Sequence, residues 1–176
     1  MDLVSTLRKK IVRDYATLAK IVDAARATER EIVMTIGSFD ALHIGHLRYL
    51  IRAKEHGDIL IVGADSDRAI KLYKGPRRPI WPEAERLEML SYQVPVDWVT
   101  IIDDVDENGA WQYELLNVVR PDVFVAVEDS YPEEQRRDIR QYCDKLVVLP
   151  RQAEETSSTD TFRKLILMLG KDTEVV

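Results

Sequence analysis

The sequence predicts an α/β domain built on a doubly wound, parallel, five-stranded sheet, and three observations predict it. First, the runs EIVMTIG, DILIVGA, DWVTII, DVFVAV and KLVVLP are short and almost wholly apolar, as strands buried on both faces are. Second, segments with helical periodicity alternate with them, as crossovers between parallel strands require. Third, the 176 residues contain no repeat, low-complexity tract or interdomain linker, so one domain with one core is expected.

The elements follow in order. Residues 1–30 place Leu3, Leu7, Ile11, Leu18, Ile21, Val22 and Ala25 at helical spacing among charged residues, which predicts an N-terminal amphipathic helix packed on its own domain, residues 31–176. EIVMTIG is the first core strand, stopped by Gly37. HLRYLIRAKEHG follows as a helix, with Gly57 as its C-cap. After DILIVGA comes a loop over 65–81, then the helix PEAERLEMLSYQ opened by Pro82. DWVTII places Trp98 in a strand and therefore in the core. GAWQYELLNVVR reads as helix, DVFVAV as strand, PEEQRRDIRQYC as helix and KLVVLP as the last strand. A second loop over 150–158 leads to a closing helix, STDTFRKLILML. In such sheets ligands bind beyond the C-terminal strand ends.

Composition narrows the function. The chain is 45% apolar and 32% charged, with 31 acidic against 25 basic residues and a net charge of −6. That balance disfavours a broad nucleic-acid or anionic-membrane partner, while leaving room for a small anion held by a local pocket. Cys143 is the only cysteine, so no internal disulfide or cysteine-based metal site is expected. With no apolar leader at the N-terminus and no run approaching the roughly 18 apolar residues of a membrane span, the expected location is the cytoplasm.

The chemistry concentrates in GSFDALHIGHLRYL, Gly37 to Leu50. Gly37 turns the chain off the strand, His43 falls in the loop, and His46 falls in the first turn of a helix beginning near Gly45. Unpaired N–H groups at a helix start attract anions. Two imidazoles there can donate hydrogen bonds to phosphoryl oxygens as charge builds. Taken alone, such a histidine pair is more often structural, and zinc needs a third ligand that no neighbouring Cys or His supplies. The strand-to-helix position after Gly37, Phe39 and Asp40 favours phosphate, with no protein-held metal.

The stretch resembles the G-x-F-D-x-x-H-x-G-H signature of the cytidylyltransferase-like nucleotidyltransferases, and every fixed position matches: Gly37, Phe39, Asp40, His43, Gly45 and His46. The segment YKGPRRPIWPEAER is similar to the K-G-P-x-R-P-x-x-P-x-x-x-R pattern of adenylyltransferases that form ADP-heptose, at Lys74, Gly75, Pro76, Arg78, Pro79, Pro82 and Arg86. RPDVFVAVEDSY and VVLPRQAEETSSTDTFRKL resemble that group's later segments.

The resemblance implies a Rossmann-like fold and a Mg²⁺-dependent transfer of a nucleoside monophosphate from a nucleoside triphosphate, ATP by preference, to a sugar or polyol phosphate. It implies catalytic roles for His43, His46, Lys74 and Arg86. Nucleotide contacts are expected from Gly37, Ser38, Phe39, Asp40, Gly45 and Asp129, and from Ser158, Thr159 and Arg163 around the leaving pyrophosphate. Asp40 is read either as shaping the loop or as touching the metal-bound triphosphate. Lys71 and Arg77 read as solvated surface, and Trp81 is left between pocket rim and surface.

Two departures bear on the acceptor. Thr35-Ile36-Gly37-Ser38 replaces the usual T-N-G-C, and Ala126-Val127-Glu128-Asp129 replaces K-G-G-D, removing a cation. CTP as donor, acting on a polyol or alcohol phosphate, is one alternative. A non-catalytic nucleotide-binding module is another, and a homo-oligomer is left open.

Overall fold

The computed structural model describes residues 2–153 and 158–169, the latter without the side chains of residues 158–160, 163 and 169. Its elements are α1 (Leu3–Arg8), α2 (Tyr15–Ala27), β1 (Ile32–Gly37), α3 (Ile44–Lys54), β2 (Ile59–Asp65), α4 (Asp67–Lys74), α5 (Glu83–Ser91), β3 (Trp98–Ile102), α6 (Glu114–Val119), β4 (Val123–Val127), α7 (Glu133–Ile139), β5 (Lys145–Leu149) and α8 (Ser158–Leu169). The five strands form one sheet in the order β3-β2-β1-β4-β5, parallel throughout. The order reverses at β1, so the crevice between β1 and β4 is where a ligand is expected. The two strands register only at Val33–Val123 and Met34–Phe124, and β1 runs on to Gly37 beyond that pairing.

Alternation along the strands sorts the core into two layers. Ile32, Met34, Ile59, Ile61 and Phe124 face one side and pack with Leu18 and Val22 of α2 and Leu115, Leu116 and Val119 of α6. Val33, Leu60, Val62 and Val125 face the other, against Tyr49 and Leu50 of α3 and Leu87 and Leu90 of α5. The all-apolar strands thus reflect helices on both faces. Trp98 is half-buried against the first layer, the core position expected of it.

Four local expectations change. Residues 1–30 form two helices instead of one: Val12 N–H donates to Val99 O (2.8 Å) and Val99 N–H to Lys10 O (2.9 Å), so the intervening chain lies along the β3 edge. Asp14 restarts the helix, its carboxylate accepting from Thr17 N–H at 2.9 Å. That segment covers an edge strand that would otherwise be open, and its Leu18, Val22 and Ala25 are core residues.

Gly57 is not a cap, because α3 ends at Lys54 with Glu55 still right-handed. A Cβ at Gly57 would lie 2.7 Å from Val33 Cγ2 and 2.9 Å from Glu31 O, so its small size serves a close approach to β1. The 65–81 segment is not all loop: Ser66 caps α4 through Ala69 N–H (2.9 Å), and Gly75, at φ +93°, ends it. Finally, α6 spans only Glu114–Val119. Tyr113 cannot cap it by side chain, and Asp104 takes over by accepting from Leu115 N–H at 3.1 Å. Among the described residues no helix is long and apolar enough to cross a membrane.

Candidate active site

Beyond β1 the chain passes through Ser38, Phe39 and Asp40 into α3, whose N-cap is His43. The His43 side chain does the capping: Nδ1 accepts from Gly45 N–H at 3.1 Å. A neutral imidazole so held carries its proton on Nε2. The His43 and His46 rings lie 4.0 Å apart between centroids. Gly45 leaves no spare room, since a Cβ there would sit 2.9 Å from His43 Cε1 and 3.0 Å from Ala153 Cβ. The glycine admits the imidazole and the 150–153 segment to the helix start.

Both imidazoles are held below their ordinary pKa. Burial is the main cause for His43, followed by the Arg151 guanidinium. For His46 burial, then His43 and Lys74, push the value down to about 4. Both are therefore neutral near pH 7, and His46 Nδ1 is buried without a hydrogen-bond partner. Negative charge placed beside the rings would act in the opposite direction and raise both values, because it favours protonated imidazole.

Lys74 closes the other wall of the turn. Its ammonium donates to Ser38 Oγ at 2.6 Å, and burial of that group, then Arg78, lowers its pKa. Asp40 is almost wholly buried and organises the loop: it accepts from Ile80 N–H (2.6 Å) and Trp81 N–H (3.2 Å) and pairs with Arg78 at 2.5 Å. Of its two expected roles, loop shaping is the one its bonds perform. Arg78 also lies over the Phe162 ring of α8, 5.1 Å from its centroid.

Arg86 departs from the expectation of a phosphate ligand. It is 0% exposed. Its Nε donates to Trp81 O (3.0 Å), Nη1 to Ser38 O (2.7 Å) and Nη2 to Asp67 Oδ1 (2.7 Å). Each of its three nitrogens has a partner, so it positions the β1–α3 turn from behind. Asp129 is likewise engaged, accepting from Arg151 Nε at 2.7 Å on the cavity wall. Ser158 and Thr159 begin α8 and Arg163 follows, but their side chains lie outside the described residues. Trp81 is 45% exposed and points to the surface reading. Lys71 and Arg77 are exposed, as expected of solvated cations.

These groups open on a cavity of about 1010 Å³ that runs from Ser38, His43 and His46 past Lys74 to Asp65 at the end of β2 and Asp104 beyond β3. Gly37, Phe39, Gly45 and Asp129 line it with them. Sequence reasoning gave no role to Arg151, although it stands in the quoted P-R of the closing segment. Asp65, Tyr73, Asp104, Trp111 and Tyr131, which also line the cavity, gave no local signal at all. No three His, Cys, Asp or Glu groups converge as a metal site among the described residues.

Known proteins share both the sequence and the fold. The model of the cytidylyltransferase-like family matches residues 34–170. Bifunctional protein HldE of a Nitratiruptor species is 38% identical over 117 residues, 66% of this chain and 24% of that protein. HldE of Hahella chejuensis is 42% identical over 115 residues, 65% of this chain and 23% of that protein. The chain thus spans about a quarter of the length of these curated relatives. A solved lipopolysaccharide core biosynthesis protein from Thermoplasma volcanium superposes with a TM-score of 0.60 at 28% identity, covering 69% of this chain and 98% of that one. Pantoate-beta-alanine ligase from Francisella tularensis shares the fold, with a TM-score of 0.58 at 16% identity over 92% of this chain and 79% of that one.

Proposed function

The chain belongs to the cytidylyltransferase-like family, and from that premise we propose that it transfers a nucleoside monophosphate from a nucleoside triphosphate to a sugar or polyol phosphate. The observation that carries this reading is the pair of imidazoles at the start of α3, 4.0 Å apart and facing a cavity that also holds Lys74, Arg78 and Arg151. ATP is the preferred donor because Lys74 to Arg86 follows the K-G-P-x-R-P pattern of the ADP-heptose-forming adenylyltransferases. The name of the Thermoplasma protein, lipopolysaccharide core biosynthesis, supports a sugar-derived acceptor.

In this reaction an oxygen of the acceptor phosphate forms a bond to the α-phosphorus, the α–β bridging bond breaks, and the pair of electrons leaves with pyrophosphate. The nucleophile is already an anion, so no base or covalent enzyme intermediate is required. His43 Nε2 and His46 donate to the α-phosphoryl oxygens as charge accumulates there. Lys74 and Arg78 separate the like charges of donor and acceptor phosphates, and Arg151 approaches from the opposite wall. Ser158, Thr159 and Arg163 at the α8 N-terminus take the β- and γ-phosphates. Arg86 and Asp40 hold the turn in place.

Mg²⁺ would be held chiefly by the triphosphate oxygens and water, with few protein ligands, and would supply neutralisation of the phosphate charge. The carboxylates nearest the turn, Asp40 and Asp129, are already paired with arginines. One free cysteine and a net charge of −6 support a cytoplasmic protein that acts on small molecules and not on nucleic acid.

The test is transfer of label from α-labelled ATP or CTP to a panel of sugar and polyol phosphates, with pyrophosphate measured in parallel. One pyrophosphate per labelled product is the expected result. Failure of every pair, with nucleotide binding intact by calorimetry, would leave a binding module instead.

A further inference from the structure

The cavity contains polar groups that phosphate chemistry does not use. Asp65 faces it from the end of β2 and, among the described residues, receives one side-chain hydrogen bond, from Tyr73 Oη at 2.5 Å. Burial pushes its carboxyl pKa up. Asp104 is only 7% exposed. One oxygen accepts from Leu115 N–H at 3.1 Å, while Oδ1 is buried and unpartnered, and burial raises this carboxyl too. Trp111 Nε1 is also buried and unpartnered, although the indole lies near enough to favour the Asp104 carboxylate. Its ring stacks near Tyr131, 5.9 Å between centroids, and both line the cavity.

Unmet buried donors and acceptors of this kind are uncommon and need an explanation. The unmet set here is one indole donor and carboxylate acceptors in the same lobe. Resting on the transferase reading, we propose that this lobe is the acceptor subsite and that it selects a hydroxylated chain. Asp65 accepts from acceptor hydroxyls, and one hydroxyl accepts from Trp111 Nε1 while donating to Asp104 Oδ1.

The chemistry distinguishes hydroxyl from ammonium. A hydroxyl both donates and accepts, so it can answer Trp111 and Asp104 together, whereas an ammonium only donates and leaves the indole unmet. An alkyl chain leaves both groups unmet, which is the situation that gives sites built for hydroxyls their strong rejection of deoxy analogues. Tyr113, 4.4 Å away between ring centroids, and Tyr131 pack against the indole and hold Trp111 in place, so its contribution to the lobe is the Nε1 donor.

The experiment measures kcat/KM with glycerol 3-phosphate, several sugar phosphates, phosphoethanolamine and propyl phosphate, for the wild type and for D65N and W111F. The best hydroxylated acceptor should exceed propyl phosphate and phosphoethanolamine by about 100-fold. D65N and W111F should each shrink that preference by about 10-fold, with affinity for a non-hydrolysable ATP analogue retained. Asparagine keeps the shape of Asp65 and phenylalanine keeps an aromatic plane, so a general loss of folding would show as lost nucleotide affinity.

Equal turnover of propyl phosphate, a preference for phosphoethanolamine, or variants that keep the wild-type preference would overturn the subsite while leaving the transferase intact. Should no acceptor turn over, binding of the same phosphates to the nucleotide-loaded protein decides by calorimetry. Hydroxyl-dependent binding weakened by D65N and W111F sustains the subsite, and its absence rejects it.

Discussion

Replacing Arg86 by Met separates a scaffolding guanidinium from a phosphate ligand. Methionine fills much of the same volume and removes all three bonds, to Trp81 O, Ser38 O and Asp67 Oδ1. The Arg86 side chain is 0% exposed while Asp67 is 31% exposed, so the carboxylate regains water and contributes little to the loss. The two carbonyls are left behind the turn, each at about 1–3 kcal/mol if unsatisfied. Allowing for partial access of water, the sum is about 3 kcal/mol, the low end of the range for breaking a buried pair. With an m-value of about 2 kcal/mol/M, urea unfolding should shift down by about 1.5 M. Nucleotide affinity should fall as well, since Ser38 loses its anchor. An unchanged unfolding midpoint combined with weakened nucleotide binding would refute the scaffolding role and return Arg86 to the phosphates.

Other outcomes follow from the same geometry. His46, held near pKa 4 against an ordinary 6.5, binds its proton more readily when unfolded, so its contribution to stability is present above 6.5 and is lost as pH falls toward 4. Between pH 7 and 4.5 the wild type should lose about 2 kcal/mol more stability than H46Q in urea titrations; equal losses would mean His46 is not desolvated. Gly45→Ala should push the His43 ring from its 2.9 Å approach and lower kcat by about 10-fold or more. In G45A the unfolding midpoint should move much less than in R86M, and full activity would show that His43 can be displaced freely.

Local and distant information divided cleanly in this chain. The strands were legible because Ile32 to Met34 and Ile59 to Val62 are apolar on both faces, a pattern set by helices on either side. The histidine turn was legible because strand, glycine, histidines and helix are contiguous. The hydrogen bonds of Arg86 were not legible because its partners lie 48 and 19 residues away, at Ser38 and Asp67, and meet it only in the folded chain. Helix α6 was overextended for a related reason: its cap is Asp104, which belongs to the segment after β3. The acidic lobe left no trace in the sequence, since Asp65, Asp104 and Trp111 come from three separate segments and meet only across the cavity. Periodicity reports which face is buried, and it is silent on which polar groups share a cavity.

The most direct measurement compares wild type and H46A for transfer of label from α-labelled ATP to the best hydroxylated phosphate, with binding of a non-hydrolysable ATP analogue measured beside it. If the imidazoles act on the transition state, H46A lowers kcat by about 100-fold or more while analogue affinity changes only a few-fold. Turnover by H46A at the wild-type rate would contradict the role given to the histidine pair, and absence of labelled product from the wild type with every acceptor would contradict the transferase itself.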